Sequence, residues 1–351
     1  RSAVWDYTPQ EWINGNLRIT HKGFSLYDKS IFTLSYQNFK EGRRDRDFGD
    51  TILYETKEKV NAYTSALDFI KKFGKSKLFY GLEYVYNKVN SVGKQTNLGN
   101  GVTSETSPRY PDDSNWQSMA AYVSLQSKLA ANLYIQLGLR YNHILLYANY
   151  DKDFYDFTFV ESDINTGALT GSVGFNWQAN EILSWRLNLS TAFRAPNIDD
   201  VGKIFDSEPG SVVVPNPELK PEYAYNGELG AVLKLGNKTH IDFTGYLTFL
   251  EDALVRRDYN INGQTEIFYQ GELSNIQAIQ NGGEAKIYGI EAGIEVNFTR
   301  DIQFTSQYNY TGGHQTEEDG NRVAVRHVAP QFGNIHLIWK HHKLKLDAYT
   351  I

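Results

Sequence analysis

Leu133, Ile135, Leu137, Leu139 and Tyr141 occupy every second position of one stretch, and Gln136, Arg140 and Asn142 fill the gaps. A period of two belongs to a β-strand with one apolar and one polar face. Trp185, Leu187, Leu189 and Phe193 alternate in the same way with Arg186, Asn188 and Arg194. Tyr288, Ile290, Ala292, Ile294, Val296 and Phe298 alternate with Glu291, Glu295 and Asn297, and Ile13, Leu17 and Ile19 with Asn14, Asn16 and Arg18. The pattern predicts strands at 10–23, 30–40, 57–71, 76–91, 115–128, 132–148, 165–177, 182–194, 222–235, 238–252, 282–298, 301–312, 326–340 and 343–351. Lys286 is out of phase, but close to a strand end, where its alkyl stem lets the ammonium reach toward lipid headgroups.

The spacers carry as much information as the strands. Short connections alternate with long ones at 41–56, 92–114, 149–164, 195–221, 253–281 and 313–325. Tight turns at one rim and tall loops at the other are the pattern of an antiparallel transmembrane β-barrel. Charges keep to the polar phase, as they must when an Arg or Lys facing lipid at the midplane costs roughly 2–4 kcal/mol. Most of the strands exceed the roughly 9–11 residues needed to span, so they should project above the bilayer. Phe79, Tyr80, Tyr84, Tyr86, Tyr308, Tyr310 and Trp339 fall where an interfacial aromatic girdle belongs, the other reading being the aromatic filling of any β core. The expectation is an all-β chain forming a single barrel domain over 1–351, with about fourteen strands.

Composition narrows the alternatives. With 24 Tyr, 19 Phe and no Cys in 351 residues, the chain is aromatic-rich and has no disulfide scaffold. A net charge of -6 argues against nucleic acid as a partner. No apolar run approaches the roughly 20 residues of a spanning helix. A mean hydropathy of -0.48 reads as soluble, yet a barrel with a wet lumen reads the same way. Both ends look cut in mid-pattern, which suggests an internal fragment of a longer chain. Catalytic signatures fail: there is no nucleophile elbow, no phosphate-cradling glycine loop and no helix-borne histidine pair. The strand carboxylates Glu83, Asp242, Glu291 and Glu295 follow the polar phase, as lumen residues would, so an acid/base pair is the weaker reading.

Between Trp185 and Tyr223 a strand breaks at Phe193-Arg194-Ala195-Pro196, and an acidic loop returns through Asn216-Pro217-Glu218-Leu219 to the next strand. These tetrapeptides, at the loop rim of a barrel, resemble the paired boxes of TonB-dependent outer-membrane receptors, with Glu218 at the variable place of the second. The segment from Val201 to Gly210 is similar to receptors of the Bacteroidota branch. The resemblance implies a 22-stranded barrel closed by an N-terminal plug, of which this chain supplies part, without the plug. It further implies a monomer in the outer membrane of a Gram-negative bacterium, holding no cofactor. Such a receptor imports a scarce small molecule with energy passed through TonB by way of the plug.

Haem-type members of that family carry a histidine between the boxes as an iron ligand, and residues 197–215 contain none. His314 and His327, in or beside loop 313–325, remain as candidates. A ferric siderophore is therefore the first expectation, ahead of haem, cobalamin and oligosaccharides. The rivals are a passive porin, a soluble secreted all-β binding module, and an enzyme housed in a barrel. For the mouth, Trp5, Tyr7 and Trp12 open the chain on the loop side. Tyr147, Tyr150, Phe154, Tyr155, Phe157 and Phe159 crowd one loop among Asp151, Asp153 and Asp156, so they either hold a planar or cationic ligand or extend the strands. Asp199, Asp200, Asp206 and Glu208 are either a Ca²⁺ site or a solvated acidic loop. Arg194 is placed to meet an anionic ligand or a lumen carboxylate.

Overall fold

The computed structural model describes residues 2–154, 159–208, 210–269, 272–316, 321–325 and 329–351, with the backbone alone at 205–208. The first half of the wall is β1 (Ser2–Lys22), β2 (Lys29–Asp47), β3 (Ile52–Phe73), β4 (Ser76–Asn97) with its short companion β5 (Thr103–Thr106), β6 (Ser114–Ala130), β7 (Leu133–Asn149), β8 (Glu161–Gln178) and β9 (Leu183–Arg194). A one-turn helix α1 (Ile198–Gly202) and the short strands β10 (Phe205–Glu208) and β11 (Ser211–Val214) follow. The wall resumes with β12 (Glu222–Leu235) and β13 (Thr239–Glu251) and pauses for β14 (Leu254–Asp258), β15 (Glu266–Tyr269) and β16 (Glu272–Asn281). It ends with β17 (Ala285–Asn297), β18 (Ile302–Thr316) and its partner β19 (Arg322–Ala324), β20 (Gln331–His341) and β21 (Leu344–Thr350).

Fourteen wall strands lie side by side in the order β1-β2-β3-β4-β6-β7-β8-β9-β12-β13-β17-β18-β20-β21, each antiparallel to the next in the chain. Tight turns close one rim, and Gly74 and Gly236 supply the left-handed backbone there (φ 56° and 62°). At the other rim the strands run higher than the alternation predicts. The stretch 41–56, expected as a loop, is mostly strand, since β2 continues to Asp47 and β3 begins at Ile52. Alternation fails there because above the bilayer both faces of a strand carry polar groups, as Arg43, Arg44, Lys57 and Glu58 do. Strand β1 likewise starts eight residues before its predicted onset at position 10; a register irregularity between Tyr7 and Gln10 interrupts its phase.

The cross-strand register sorts every wall residue onto one of two faces. Leu34, Ser65, Tyr84 and Met119 share the outer face across β2, β3, β4 and β6. On β7 and β9, Leu137 and Leu187 are each 37% exposed on that face, so the apolar phase looks outward instead of into a protein core. Polar partners line the inner face: Arg140 Nη2 donates to Glu83 Oε1 at 2.8 Å, and the Tyr122 hydroxyl donates to Asp68 Oδ1 at 2.5 Å. Outward aromatics gather at two heights. Tyr36, Tyr63 and Tyr86 form a chain with ring centroids 5.1 and 6.3 Å apart, and Tyr27, Phe69 and Tyr80 another at 5.2 and 4.9 Å. Tyr63 and Phe69 lie about 20 Å apart along β3 at strand rise, a spacing suited to two interfacial belts. Phe79 is the exception among the expected girdle residues; its register with Ile70 and Ser124 turns it inward. Lys286, the out-of-phase lysine, faces outward and rests its ammonium 5.4 Å from the centre of the Phe249 ring.

A second sheet, not foreseen from the sequence, fills the tall rim. Its five strands run in the order β10-β11-β16-β14, with β15 also on β16, and β11 pairs with β16 in parallel. Two loops expected to be irregular, 195–221 and 253–281, are thus woven into one cap.

Candidate functional site

The cap is held in the barrel mouth by apolar side chains from both partners. On the inner face of β7 the polar residues Gln136, Arg140 and Asn142 give way upward to Ile144, Leu146 and Ala148, all buried. Leu146, Ala148, Val89 and Ile164 from the wall pack with Ile198 and Val201 of α1 and with Leu219. A second apolar layer joins Tyr150 to Val212, Val214, Ile276 and Ala278 of the cap sheet. Every residue of β11 is buried, so its continuous Ser-Val-Val-Val run fits a strand covered on both faces.

Polar groups fix the geometry of this packing. The Asn197 side chain accepts from the Asp200 amide at 3.1 Å, and the Asp200 carboxylate accepts from the Asn197 amide at 3.0 Å, a reciprocal cap that starts α1. Arg194 Nη2 donates to both Asp200 oxygens at 2.6 and 2.8 Å, and Nη1 donates to Glu222 Oε1 at 3.3 Å. Its guanidinium therefore ties α1 to the root of β12. Trp116 Nε1 donates to the Pro196 carbonyl at 3.3 Å. In the second tetrapeptide, Asn216 Nδ2 donates to the Ile279 carbonyl at 2.8 Å, and Leu219 is 4% exposed in the apolar layer. Asn281 closes the brace: its Oδ1 accepts from the Lys220 amide at 2.7 Å, and its Nδ2 donates to the Lys220 and Asp252 carbonyls at 2.9 Å each. Both tetrapeptides thus serve as anchors between wall and cap.

Two cavities open beneath and beside the cap, divided by the segment Thr106–Pro108, which lines both. The larger, about 710 Å³, lies between the top of β4, Tyr110, Tyr150, Lys152 and Phe154. The smaller, about 350 Å³, is bounded by Trp5, Tyr7, Arg43, Tyr54, Arg109 and Tyr269. Arg43 stacks its guanidinium 4.8 Å from the Tyr7 ring centre and pairs with Glu41 at 2.6 Å. Aromatic faces beside guanidinium groups suit a ligand with planar rings and negative charge. Tyr110 donates its hydroxyl to Asp199 at 2.9 Å, and burial pushes that hydroxyl above its ordinary range. Burial also raises the Tyr150 hydroxyl, which donates to the Val201 carbonyl at 2.7 Å.

Of the candidates named from sequence, Trp5 and Tyr7 reach the smaller cavity and Tyr150 borders the larger one while bracing α1. Arg194 stands in the anchor just described. His314 shares the outer face of β18 with Tyr310 and is in register with outward Lys286. It lines an external hollow and not the mouth. Tyr155 and His327 lie outside the described residues. Asp199 and Asp200 hold protein partners, the side chains of Asp206 and Glu208 lie outside the description, and no group of three metal-ligating side chains occurs among the described residues. Arg43, Arg109 and Tyr110 were missed from sequence. The only signal they offered was position, Arg43 at the projecting top of β2 and Arg109 and Tyr110 in the Pro-containing loop before β6.

Comparison with known proteins agrees with this architecture. A family described as TonB dependent receptor-like, beta-barrel matches residues 2–347. The iron-regulated outer membrane virulence protein of Vibrio cholerae is 22% identical over 317 residues, covering 90% of this chain and 42% of that protein. Among solved structures, the copper transporter OprC superposes with a TM-score of 0.80 at 14% identity, over 98% of this chain and 52% of its own. The siderophore receptor PirA from Acinetobacter baumannii gives 0.67 at 16% identity, over 96% and 49%. The chain spans about half the length of these relatives. With the family model covering nearly all of it, this chain belongs to the TonB-dependent receptors of the Gram-negative outer membrane, transport receptors and not enzymes, and forms part of their β-barrel.

Proposed function

We propose that the chain is the ligand-receiving barrel of an active importer whose cargo is a ferric siderophore. The observation that carries this reading is the pair of cavities in a capped mouth, where Trp5 and Tyr7 stand beside Arg43 and Arg109. Ferric siderophore complexes commonly combine aromatic or planar chelating groups with net negative charge, and such surfaces complement them. The names of the relatives, an iron-regulated protein and a siderophore receptor, support the same cargo class. The outward direction of His314 supports placing haem second. A cap packed into the mouth weighs against a passive porin.

In this reading residues 1–351 form one barrel domain, Phe193–Pro196 and Asn216–Leu219 are the family's paired boxes, and the 201–210 segment marks a Bacteroidota-type receptor. The greater length of the relatives supports a plug and further strands elsewhere in the full-length protein. That plug would receive the ligand from the mouth and contact TonB. The test is growth of a strain lacking the full-length gene on single iron sources, together with uptake of labelled ferric siderophore before and after collapse of the proton gradient. Loss of growth on one siderophore, rescued by the gene and weakened by a W5A/Y7A variant, is the expected result. Uptake that survives gradient collapse would identify a porin instead, and a defect on haem alone would replace the cargo.

A further inference from the structure

Glu58 carries a buried carboxyl that the import reading leaves unused. It stands on the inner face of β3 above the bilayer, 7% exposed, in register with Glu41 of β2 on one side and Ser91 of β4 on the other. Neither of its carboxyl oxygens has a hydrogen-bond partner among the described residues, although Thr56, two positions up the same face, lies near enough to ease the burial in part. The neighbours are engaged elsewhere. Glu41 Oε1 accepts from Arg43 Nε at 2.6 Å, and Tyr7 of β1 covers that guanidinium. The Ser91 hydroxyl accepts from the Tyr110 amide at 3.3 Å, and the Ser91 amide donates to Asp112 Oδ1 at 2.9 Å. Arg109 Nε donates to the Tyr110 hydroxyl at 3.2 Å, and that hydroxyl reaches Asp199 of α1. An ionised carboxylate without a partner is costly to seal from water. Burial accordingly pushes the Glu58 carboxyl above the usual carboxylate range, with Thr56, Arg109 and Arg43 opposing the rise and Glu41 adding to it.

The smaller cavity begins directly above this group. Thr56 and Arg43 line it, about 7 Å up the strands from Glu58 and Glu41. Three guanidiniums, of Arg43, Arg44 and Arg109, and two carboxylates, of Asp6 and Asp45, face the space among the described residues. Glu41 behind them evens the charge, so an ionised Glu58 would turn the surroundings negative and repel an anion. We propose that the smaller cavity takes up its anion together with one proton, which Glu58 holds. The proton comes from the buffer and rests on one Glu58 oxygen; no other bond is made or broken. Below the range in which Glu58 titrates, the proton is already in place and affinity is constant. Above it, binding must draw the proton in and weakens as pH rises. The inference rests on reading the mouth as the receiver of a negatively charged ligand, and it assigns Glu58 as the positioning residue that sets the charge of that site.

The test uses the full-length receptor in detergent, with folding of every variant checked by heat-modifiable gel migration. The probe is naphthalene-1,5-disulfonate, a planar dianion whose charge does not change across roughly pH 5 to 9, where arginine stays charged as well. Calorimetric titration in buffers of different ionisation heat gives both the affinity and the protons taken up. Wild-type affinity should be level in acid and then fall toward about tenfold per pH unit, with close to one proton taken up per anion on the falling limb. E58Q, which imitates the protonated acid, should hold the acid-side affinity at every pH and take up no proton. R43Q/R109Q should lose the probe throughout. The same fall in E58Q, a level wild-type profile, or binding without proton uptake on the alkaline side would each overturn the proposal. Failure of the wild type to bind the probe at any pH would overturn it too, by removing the anion site, and would leave the cargo to be judged by growth on single iron sources. Proton-linked binding of the probe by a receptor that supports growth on no siderophore would uphold the proposal and refute the cargo instead.

Discussion

Two leucines on one strand test the distinction between the faces of the wall. Leu146, at the top of β7, is 1% exposed and packs inward against α1, while Leu137, nine positions lower, is 37% exposed on the outer face. Replacing Leu146 by alanine removes three buried carbons, worth about 2.5 kcal/mol at roughly 0.8 kcal/mol each. The cavity left behind raises the total toward 3–5 kcal/mol, because wall strands held by a full ladder of hydrogen bonds relax little. That cost falls on the docking of the cap, since the ladder of β7 with β6 and β8 does not depend on the side chain. At about 3 kcal/mol, local opening of the cap becomes roughly 150-fold more frequent. Hydrogen exchange of the full-length receptor in detergent should show that acceleration at 198–202 and 211–219, with the amides of β6 to β8 unchanged. The Leu137→Ala protein should leave exchange in the cap at the wild-type rate. Equal acceleration by the two substitutions, or protection of the cap unaltered in L146A, would refute the docking of cap on wall.

Asn281→Ala removes the brace between Lys220 and Asp252 and should cost about 1–3 kcal/mol, read as proteolysis within 253–281 at protease levels that spare the wild type. Gly81→Val should lower the yield of folded barrel, because a Cβ there would come within 2.6 Å of the Leu67 carbonyl and 2.7 Å of the Tyr122 ring; heat-modifiable migration measures it. Tyr110 and Tyr150 both have hydroxyls raised above the ordinary 10 by burial. Their contribution to cap stability is fully present below pH 10 and is lost as pH rises through the raised values, since the opened state releases those protons first. Tyrosinate absorbance should show a late-titrating fraction that shrinks in Y110F, and a titration unchanged by that substitution would contradict the assignment.

The wall was legible because its physics is local and repetitive. A residue such as Leu187 is apolar because lipid lies outside and Asn188 polar because the lumen lies inside, and a period of two reports both. The cap was not legible, for reasons that follow from its construction. Strand β11 is covered on both faces and reads as a short apolar run without phase, and its parallel partner β16 lies more than 60 residues away, from Val212 to Ile276. Neither β14 nor β15 has more than five residues, too short for a period to emerge. The tetrapeptides were found by resemblance, yet their part in anchoring became visible only with Leu219 and Pro196 in contact with the wall. Direction was the other hidden quantity: His314 was placed near a loop by its position in sequence, whereas register alone turns it outward.

None of these 351 residues is cysteine, so single thiols introduced for spin labelling meet no background from this part of the receptor. Labels at Leu187 and Asn188 of the full-length receptor, reconstituted in bilayers and relaxed by oxygen and by a water-soluble nickel chelate, measure the two faces of β9 directly. Oxygen should dominate at 187 and the nickel complex at 188, as a lipid-facing and a lumen-facing side chain require. Occlusion of both labels from both reagents would place β9 inside a packed protein core and contradict a barrel in lipid.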